Sequence, residues 1–313
     1  MTAGSIVVLG GGGFVGSQVV AKLVSDGWRV TVPTRRREEC KHLILLPTVE
    51  VVEQDIHDPK VLDRLFPGRE AVINLVGILH ESARDTFERV HVELTRKVIA
   101  ACQGAGVSRL LHMSALGASA DAPSSYQKSK AAAEAMVAAS GLQWTIFRPS
   151  VIFGRDDHFL NMFARLSRML PVVALASPKA RFQPVYVGDV AHCFVRAIHD
   201  DLTFGSRYDL CGPKAYTLRE LVAYVGETAG AVRPVVSLGP GLSTLMATLL
   251  EHLPGRLLTR DNLASMRRDN VCDCPFPAVF GIAPSSVESI APSYLSPAAR
   301  RSPFDRYRAD SGR

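Results

Sequence analysis

Three side chains near the middle of the chain have the types and the spacing for proton-transfer chemistry. Tyr126 and Lys130 stand four residues apart, which puts them on one face of a helix. A lysine ammonium beside a phenol favours the phenolate, and so brings the phenol closer to the working range of a general acid/base. Ser114 closes the apolar run Leu110-Leu111-His112-Met113. If that run is a strand, its carboxyl end presents the serine hydroxyl to a substrate oxygen. A tyrosine near a lysine also occurs on ordinary helix surfaces, so the reading depends on the elements that would hold the three groups together.

Those elements begin near the first residue. Ser5 to Leu9 is a short apolar run, followed by four consecutive glycines, Gly10 to Gly13. Phe14, Val15 and Gly16 then open a segment with apolar residues at helical spacing. The pattern predicts strand, tight turn and helix. Glycine accepts positive φ and lets a phosphate come close to the backbone. The unpaired N–H groups at the start of the helix carry partial positive charge, which suits a pyrophosphate. Gly11, Gly13 and Gly16 fit G-x-G-x-x-G, while Gly10, Gly13 and Gly16 fit G-x-x-G-x-x-G; either spacing between a strand and a helix points to a dinucleotide. With Tyr126 and Lys130 downstream, the second set is taken as the working one. The alternative is a glycine-rich turn with no ligand.

The end of the second strand, Arg29 to Val32, chooses between nicotinamide cofactors. A carboxylate there binds the ribose hydroxyls of NAD, whereas an arginine accommodates a 2′-phosphate. Thr34, Arg35 and Arg36 occupy the position, and no carboxylate follows until Glu38. Guanidinium pairs well with phosphate, so NADP(H) is favoured over NAD(H). Asp55 and Ile56, after the third strand, are expected to flank the adenine. Val76 and Gly77, after the fourth, are expected to face the inner ribose.

Strands and helices alternate at short intervals up to Arg148. That rhythm predicts an α/β fold, a Rossmann-type doubly wound parallel sheet, over residues 1–150. A long helix is expected from the stripe Phe87, Val90, Leu94, Val98 and Ala101, and another from Ser125 to Ser140. Residues 151–291 read as a smaller lobe whose elements interleave with the first domain, and 292–313, rich in Pro, Ser and Arg, as a disordered tail. Leu242, Leu245, Met246, Leu249 and Leu250 form one apolar helix face, expected to be ordinary lobe core, with an isoprenoid pocket or a membrane contact as the alternative.

The totals are those of a globular protein: 313 residues, 47% hydrophobic and 21% charged, with a formal net charge of +6 that reads as spread along the chain. Five arginines against two aspartates close the sequence, read as a solvated tail, with contact to an acidic membrane surface or to nucleic acid as the alternative. The six cysteines and nine histidines show no metal spacing, so no metal is expected. Reduced thiols and satisfied, partly buried imidazoles at His80, His91 and His112 are expected instead. No stretch is long and apolar enough for a membrane span. A cytoplasmic protein is expected, with peripheral contact to an inner membrane open.

The glycine turn, Asp55-Ile56, Ser114, Tyr126-Gln127-Lys128-Ser129-Lys130, Arg148-Pro149 and Pro184-Val185-Tyr186-Val187-Gly188-Asp189-Val190 resemble the short-chain dehydrogenase/reductase superfamily, in its extended or atypical branch. More narrowly, Val76-Gly77-Ile78-Leu79-His80-Glu81, Phe87-Glu88-Arg89-Val90-His91 and the run from Trp144 to Gly154 resemble the NAD(P)H-binding accessory subunit of respiratory complex I and its bacterial relatives. The resemblance implies a tightly held NADPH and a link to the respiratory chain or to ubiquinone biosynthesis. It implies Tyr126 as proton donor or acceptor, Lys130 on the nicotinamide ribose, Ser114 orienting substrate, and Pro149 and Val151 on the nicotinamide face. It does not imply turnover, since members of this branch can hold the cofactor structurally.

Two functions therefore compete. One is a cofactor-binding component of a respiratory or quinone-synthesis complex. The other is an active NADPH-dependent reductase, dehydrogenase or epimerase on a small hydrophobic or sugar-type substrate.

Overall fold

The buried apolar run Ser5–Leu9 forms β1, and the remaining strands of the main sheet stack beside it as Arg29–Thr34 (β2), Val49–Glu53 (β3), Ala71–Asn74 (β4), Arg109–Met113 (β5) and Gln143–Pro149 (β6). A computed structural model describes residues 4–251 and 258–300. The order across the sheet is Ser206–Leu210, β6, β5, β4, β1, β2, β3, and each neighbouring pair is parallel. β1 and β4 are buried along nearly their whole length, as a parallel sheet covered on both faces requires. The chain leaves β1 toward β2 and returns to β4 on its other side, so the order reverses between these two strands. Open α/β sheets bind ligands at such a reversal.

The covering helices are Phe14–Ser25 (α1), Lys41–Ile44 (α2), Pro59–Leu65 (α3), Leu94–Ala105 (α4) and Ser125–Ala138 (α5). Asp58 caps α3, accepting from Lys60 N at 3.0 Å, with Pro59 at the first helical position. Ser124 caps α5, accepting from Gln127 N at 3.2 Å. The long helix expected from Phe87 is not uniform. Glu88–Glu93 is π-helical and only Leu94–Ala105 is α-helical, with Gly106 closing it at φ +71°. The apolar stripe has the same spacing in both halves, so hydrophobic periodicity does not separate them.

The chain divides into two units. The first takes the chain up to Pro149 together with Val187–Leu210 and Cys272–Ile282; the second takes Ser150–Tyr186, Cys211–Val271 and the chain from Ala283 onward. Buried Arg109 on β5 anchors the returning segment of the first unit. Its guanidinium donates to the carbonyls of Gln143 (2.7 Å), Ala197 and Ile198 (3.2 Å) and to Thr203 Oγ1 (3.0 Å). The second unit packs Phe159–Met169 and Leu218–Thr228 around Phe153, Leu160, Phe163, Leu221 and Val225. Thr217 and Glu220 close a reciprocal capping box on the latter helix.

Three expectations change. Pro292–Leu295 and Pro297–Arg300 are helical and Leu295 is fully buried, so chain order extends past 292; residues 301–313 lie outside the described residues. The helix Pro240–Leu250 does not bury its leucine face: Leu242, Leu245 and Leu249 are exposed. Cys40, Cys102, Cys193 and Cys274 are free thiols, but Cys211 and Cys272 are disulfide-bonded rather than reduced.

Candidate dinucleotide site

The glycine turn does two separate jobs. Gly10 sits at φ +78°, a conformation in which a side chain is strained. A Cβ at Gly16 would collide with the Gly10 carbonyl oxygen and lie 2.6 Å from Gly11 Cα. Gly11 would meet Val32 at 2.9 Å, and Gly12 would collide with Cys40 Sγ. These four glycines are required by the chain's own packing. Gly13 is not: it is exposed, at an ordinary φ of −77°, and a Cβ there would meet only Gly10 O at 3.4 Å. Gly13 also precedes α1, whose first turn has neither a side-chain cap nor an acidic residue. Phe14 and Val15 begin that turn. Its uncapped N–H groups and the bare backbone at Gly13 form a cradle that fits a pyrophosphate.

Beside it, Thr34, Arg35 and Arg36 stand at the end of β2. Arg35 Nη1 pairs with Asp85 Oδ2 at 3.1 Å, and Arg36 Nη1 with Glu39 Oε1 at 3.2 Å. Both arginine side chains are mostly exposed, 65% and 77%, so these pairs contribute little and exchange readily for a phosphate. Thr34 Oγ1 accepts from Arg36 N at 3.3 Å. Glu53, cross-strand partner of Thr34, accepts from Arg37 N at 3.2 Å. Asp55 Oδ1 is engaged locally by His57 N at 3.0 Å, an Asx turn after β3. Ile56 and Val76 are partly buried against the core that includes Leu9 and Val72. All these residues, with Gly77, Ser114 and Pro149, stand at the carboxyl edge of the parallel sheet. Val151 belongs to the second unit and packs on that unit's core.

Lys130 is buried on α5 and its Nζ donates to Met113 O at 3.1 Å. A Cβ at Gly77 would stand 3.0 Å from this Nζ and 3.6 Å from His91 Nε2, so glycine is what lets the loop after β4 close over the lysine. Burial lowers the Lys130 pKa to about 8, partly opposed by Glu134; the ammonium form still prevails at neutral pH. Tyr126 packs edge-on to Phe87 and His91, with ring centroids 5.9 and 5.6 Å apart. Its phenol is pushed up to about 12 by burial. The lowering expected from Lys130 is not found: burial alone sets the shift, because withdrawal from water disfavours the phenolate.

Two histidines missing from the sequence-derived site complete the cluster. His91 Nε2 accepts from Ile78 N at 3.1 Å, which leaves its proton on Nδ1, shared with Ser129 Oγ at 2.8 Å; Ser129 in turn donates to Tyr126 O at 2.8 Å. Asn74 Oδ1 accepts from Val76 N at 3.2 Å, which turns Nδ2 toward His112 Nδ1 at 3.3 Å. The His112 proton then sits on Nε2, which is buried and has no hydrogen-bond partner among the described residues. Burial first, then Lys130, lowers the pKa of His91 to about 2 and of His112 to about 3. The π-helical turn carries His91 into this cluster, and such turns recur at functional sites.

Ser114 is engaged elsewhere. Its buried hydroxyl donates to Glu134 Oε1 on α5. Glu134 is also clamped by Arg148, whose Nε donates to its two oxygens at 2.9 and 3.0 Å, with Arg207 Nε 3.6 Å away. Among the described residues no cluster of His, Cys, Asp and Glu could hold a metal ion.

Two outcomes follow from this geometry. Gly13→Ala costs the free protein about 1 kcal/mol or less in urea unfolding but weakens NADPH binding about tenfold or more by fluorescence titration. Gly16→Ala costs about 3 kcal/mol; wild-type affinity in Gly13→Ala would remove the cradle. His91 and His112 are neutral when folded and take up protons near pH 6.5 when unfolded. Their stabilisation is complete above pH 6.5 and is lost as pH falls toward 3 and then 2. Stability should drop between pH 6.5 and 5 with a slope approaching about 1.4 kcal/mol per pH unit for each histidine. The double variant His91→Gln/His112→Gln should flatten that slope, and an unchanged slope would contradict the assignment.

A family model described as NAD(P)H-binding matches residues 10–201. The mouse protein NADH dehydrogenase (ubiquinone) 1 alpha subcomplex subunit 9, mitochondrial, is 37% identical over 70% of this chain and 59% of its own length. A ceramide reductase of Caulobacter vibrioides is 34% identical over 60% of this chain and 59% of its own length. The chain thus spans a little over half the length of such curated relatives. Among solved structures, the UDP-glucose 4-epimerase of Thermotoga maritima, with UDP-glucose, superposes with a TM-score of 0.72 at 20% identity, over 95% of this chain and 98% of that one; this likeness is one of fold. With the uncapped glycine turn in place and more than half of its length matched, the chain belongs to the NAD(P)H-binding family, as an atypical short-chain dehydrogenase/reductase related to the mouse subunit.

Proposed function

We propose that this protein holds NADP(H) as a stabilising component of a respiratory or quinone-synthesis complex, peripheral on the cytoplasmic face of an inner membrane. The observation that carries the reading is the engagement of Ser114. Its hydroxyl is spent on Glu134, and Glu134 is held by Arg148, so the group expected to orient a substrate serves the frame. The phenol of Tyr126, pushed up to about 12, stays protonated at neutral pH and is poorly placed to act as a base.

Each residue then has a holding role. The α1 N-terminus and Gly13 take the pyrophosphate, Arg35 and Arg36 the 2′-phosphate, Asp55 and Ile56 the adenine side, Val76 and Gly77 the inner ribose. Lys130 donates to the nicotinamide ribose, with Pro149 against the ring. The dinucleotide brings hydride chemistry when bound; these side chains bind and orient it.

The second reading, an NADPH-dependent reductase or epimerase, is favoured by one feature. Lys130 and Tyr126 share a face of α5 and lie with the glycine turn in one unit, so a proton donor beside a ribose-binding lysine is present.

Substitutions separate the two. Arg35→Ala should weaken NADPH binding about tenfold and leave NADH binding nearly unchanged; equal loss for both would remove the NADP(H) preference. Tyr126→Phe should retain NADPH binding and normal assembly with the partner complex. Failure of assembly without loss of binding would transfer the proposal to the reductase.

A further inference from the structure

The second unit carries an exposed apolar surface that its own packing does not explain. In the helix Pro240–Leu250 the buried side chains are Ser243 and Ala247, whereas Leu242, Leu245 and Leu249 are 59%, 55% and 62% exposed. Their spacing puts the three leucines on one face. A helix of a water-soluble surface does the reverse, burying leucine and exposing small polar residues. The helix is tied to a two-stranded sheet, since Ser243 Oγ donates to Ala176 O at 3.0 Å, just past the strand Val173–Leu175. That strand pairs with Val235–Ser237. Val172, leading into the first strand, and Val236, within the second, are exposed as well. Apolar groups exposed together in this way mark a docking surface.

Charge selects the occupant. Among the described residues the second unit contains 12 Lys and Arg against 8 Asp and Glu, and the first 19 against 20. Among the described residues the net positive charge is therefore not spread along the chain: all of it lies in the unit that exposes the leucines. Two of its exposed arginines border the sheet. Arg219 donates to Val235 O at 2.9 Å and to Ser237 Oγ at 2.5 Å, and Arg233 to Ser167 O at 3.1 Å. Two of its carboxylates are already engaged, Glu220 in the Thr217 cap and Glu251 with Arg260 at 2.8 Å. Exposed apolar side chains on a unit of net positive charge match the layering of a bilayer, where acyl chains lie beneath anionic headgroups. A second copy would set two positive surfaces against each other.

We propose that this face of the second unit docks on an anionic lipid bilayer, with Leu242, Leu245 and Leu249 at the acyl boundary. The inference rests on the peripheral-membrane reading above and names the surface that carries it. The test is co-sedimentation of the full chain with phosphatidylcholine vesicles, with and without phosphatidylglycerol. Wild type should bind the phosphatidylglycerol vesicles, less so at high salt. The triple variant Leu242→Gln/Leu245→Gln/Leu249→Gln should lose about tenfold or more of that partitioning, with an unchanged melting temperature because the leucines are exposed. If wild type binds neither vesicle, the peripheral-membrane reading fails together with the proposal. If wild type and variant bind alike, the reading stands and this face is wrong. A dimer that forms without lipid and is abolished in the variant would assign the face to a second copy and overturn the proposal.

Discussion

The site rests on a contact that only glycine permits. Without a side chain at Gly16, the first turn of α1 packs directly against the backbone of Gly10 and Gly11. That contact sets the uncapped start of α1 at the carboxyl end of β1, beside the point where the strand order reverses. Gly10 makes it possible by taking positive φ, and Gly11 and Gly12 by clearing Val32 and Cys40. A methyl group at Gly16 would push the helix away from the backbone of Gly10 and Gly11.

The second constraint is a buried polar cluster. Lys130, His91 and His112 are each almost inaccessible to water, and their desolvation appears in all three lowered pKa values. Buried groups of this kind are costly unless paired. Met113 O, Ile78 N, Ser129 and Asn74 supply most of the partners, and among the described residues the His112 Nε2 proton has none. The cluster fixes Gly77 and the π-helical turn against α5. The ion pair of Glu134 with Arg148 does the same on the other flank, and takes Ser114 with it.

Much of the sheet was legible from the sequence because local pattern dictates it. β-branched runs and glycine turns announce the strands, and Asp58-Pro59 announces α3. The parallel order follows from connections too short for other crossovers. What stayed hidden depends on partners distant in sequence. Nothing local tells that Ser114 meets Glu134, that Arg35 meets Asp85, or that the Phe87 stripe passes through a π-helical turn. The Tyr126 phenol was misjudged because spacing reveals the lysine but neither the burial that raises the phenol nor that the Lys130 ammonium is turned to Met113 O. The leucines of Pro240–Leu250 were assigned inward because periodicity identifies an apolar face without saying what lies opposite. The charge asymmetry was masked because the second unit is assembled from three separate stretches of chain.

The central claim, that the glycine turn holds a phosphorylated dinucleotide, is tested most directly by purifying the protein from cells and identifying what acid or heat releases from it. The account predicts NADP(H) in near-stoichiometric amount. Neither NADP(H) nor NAD(H) in the released material, together with no binding of either on titration, would contradict it.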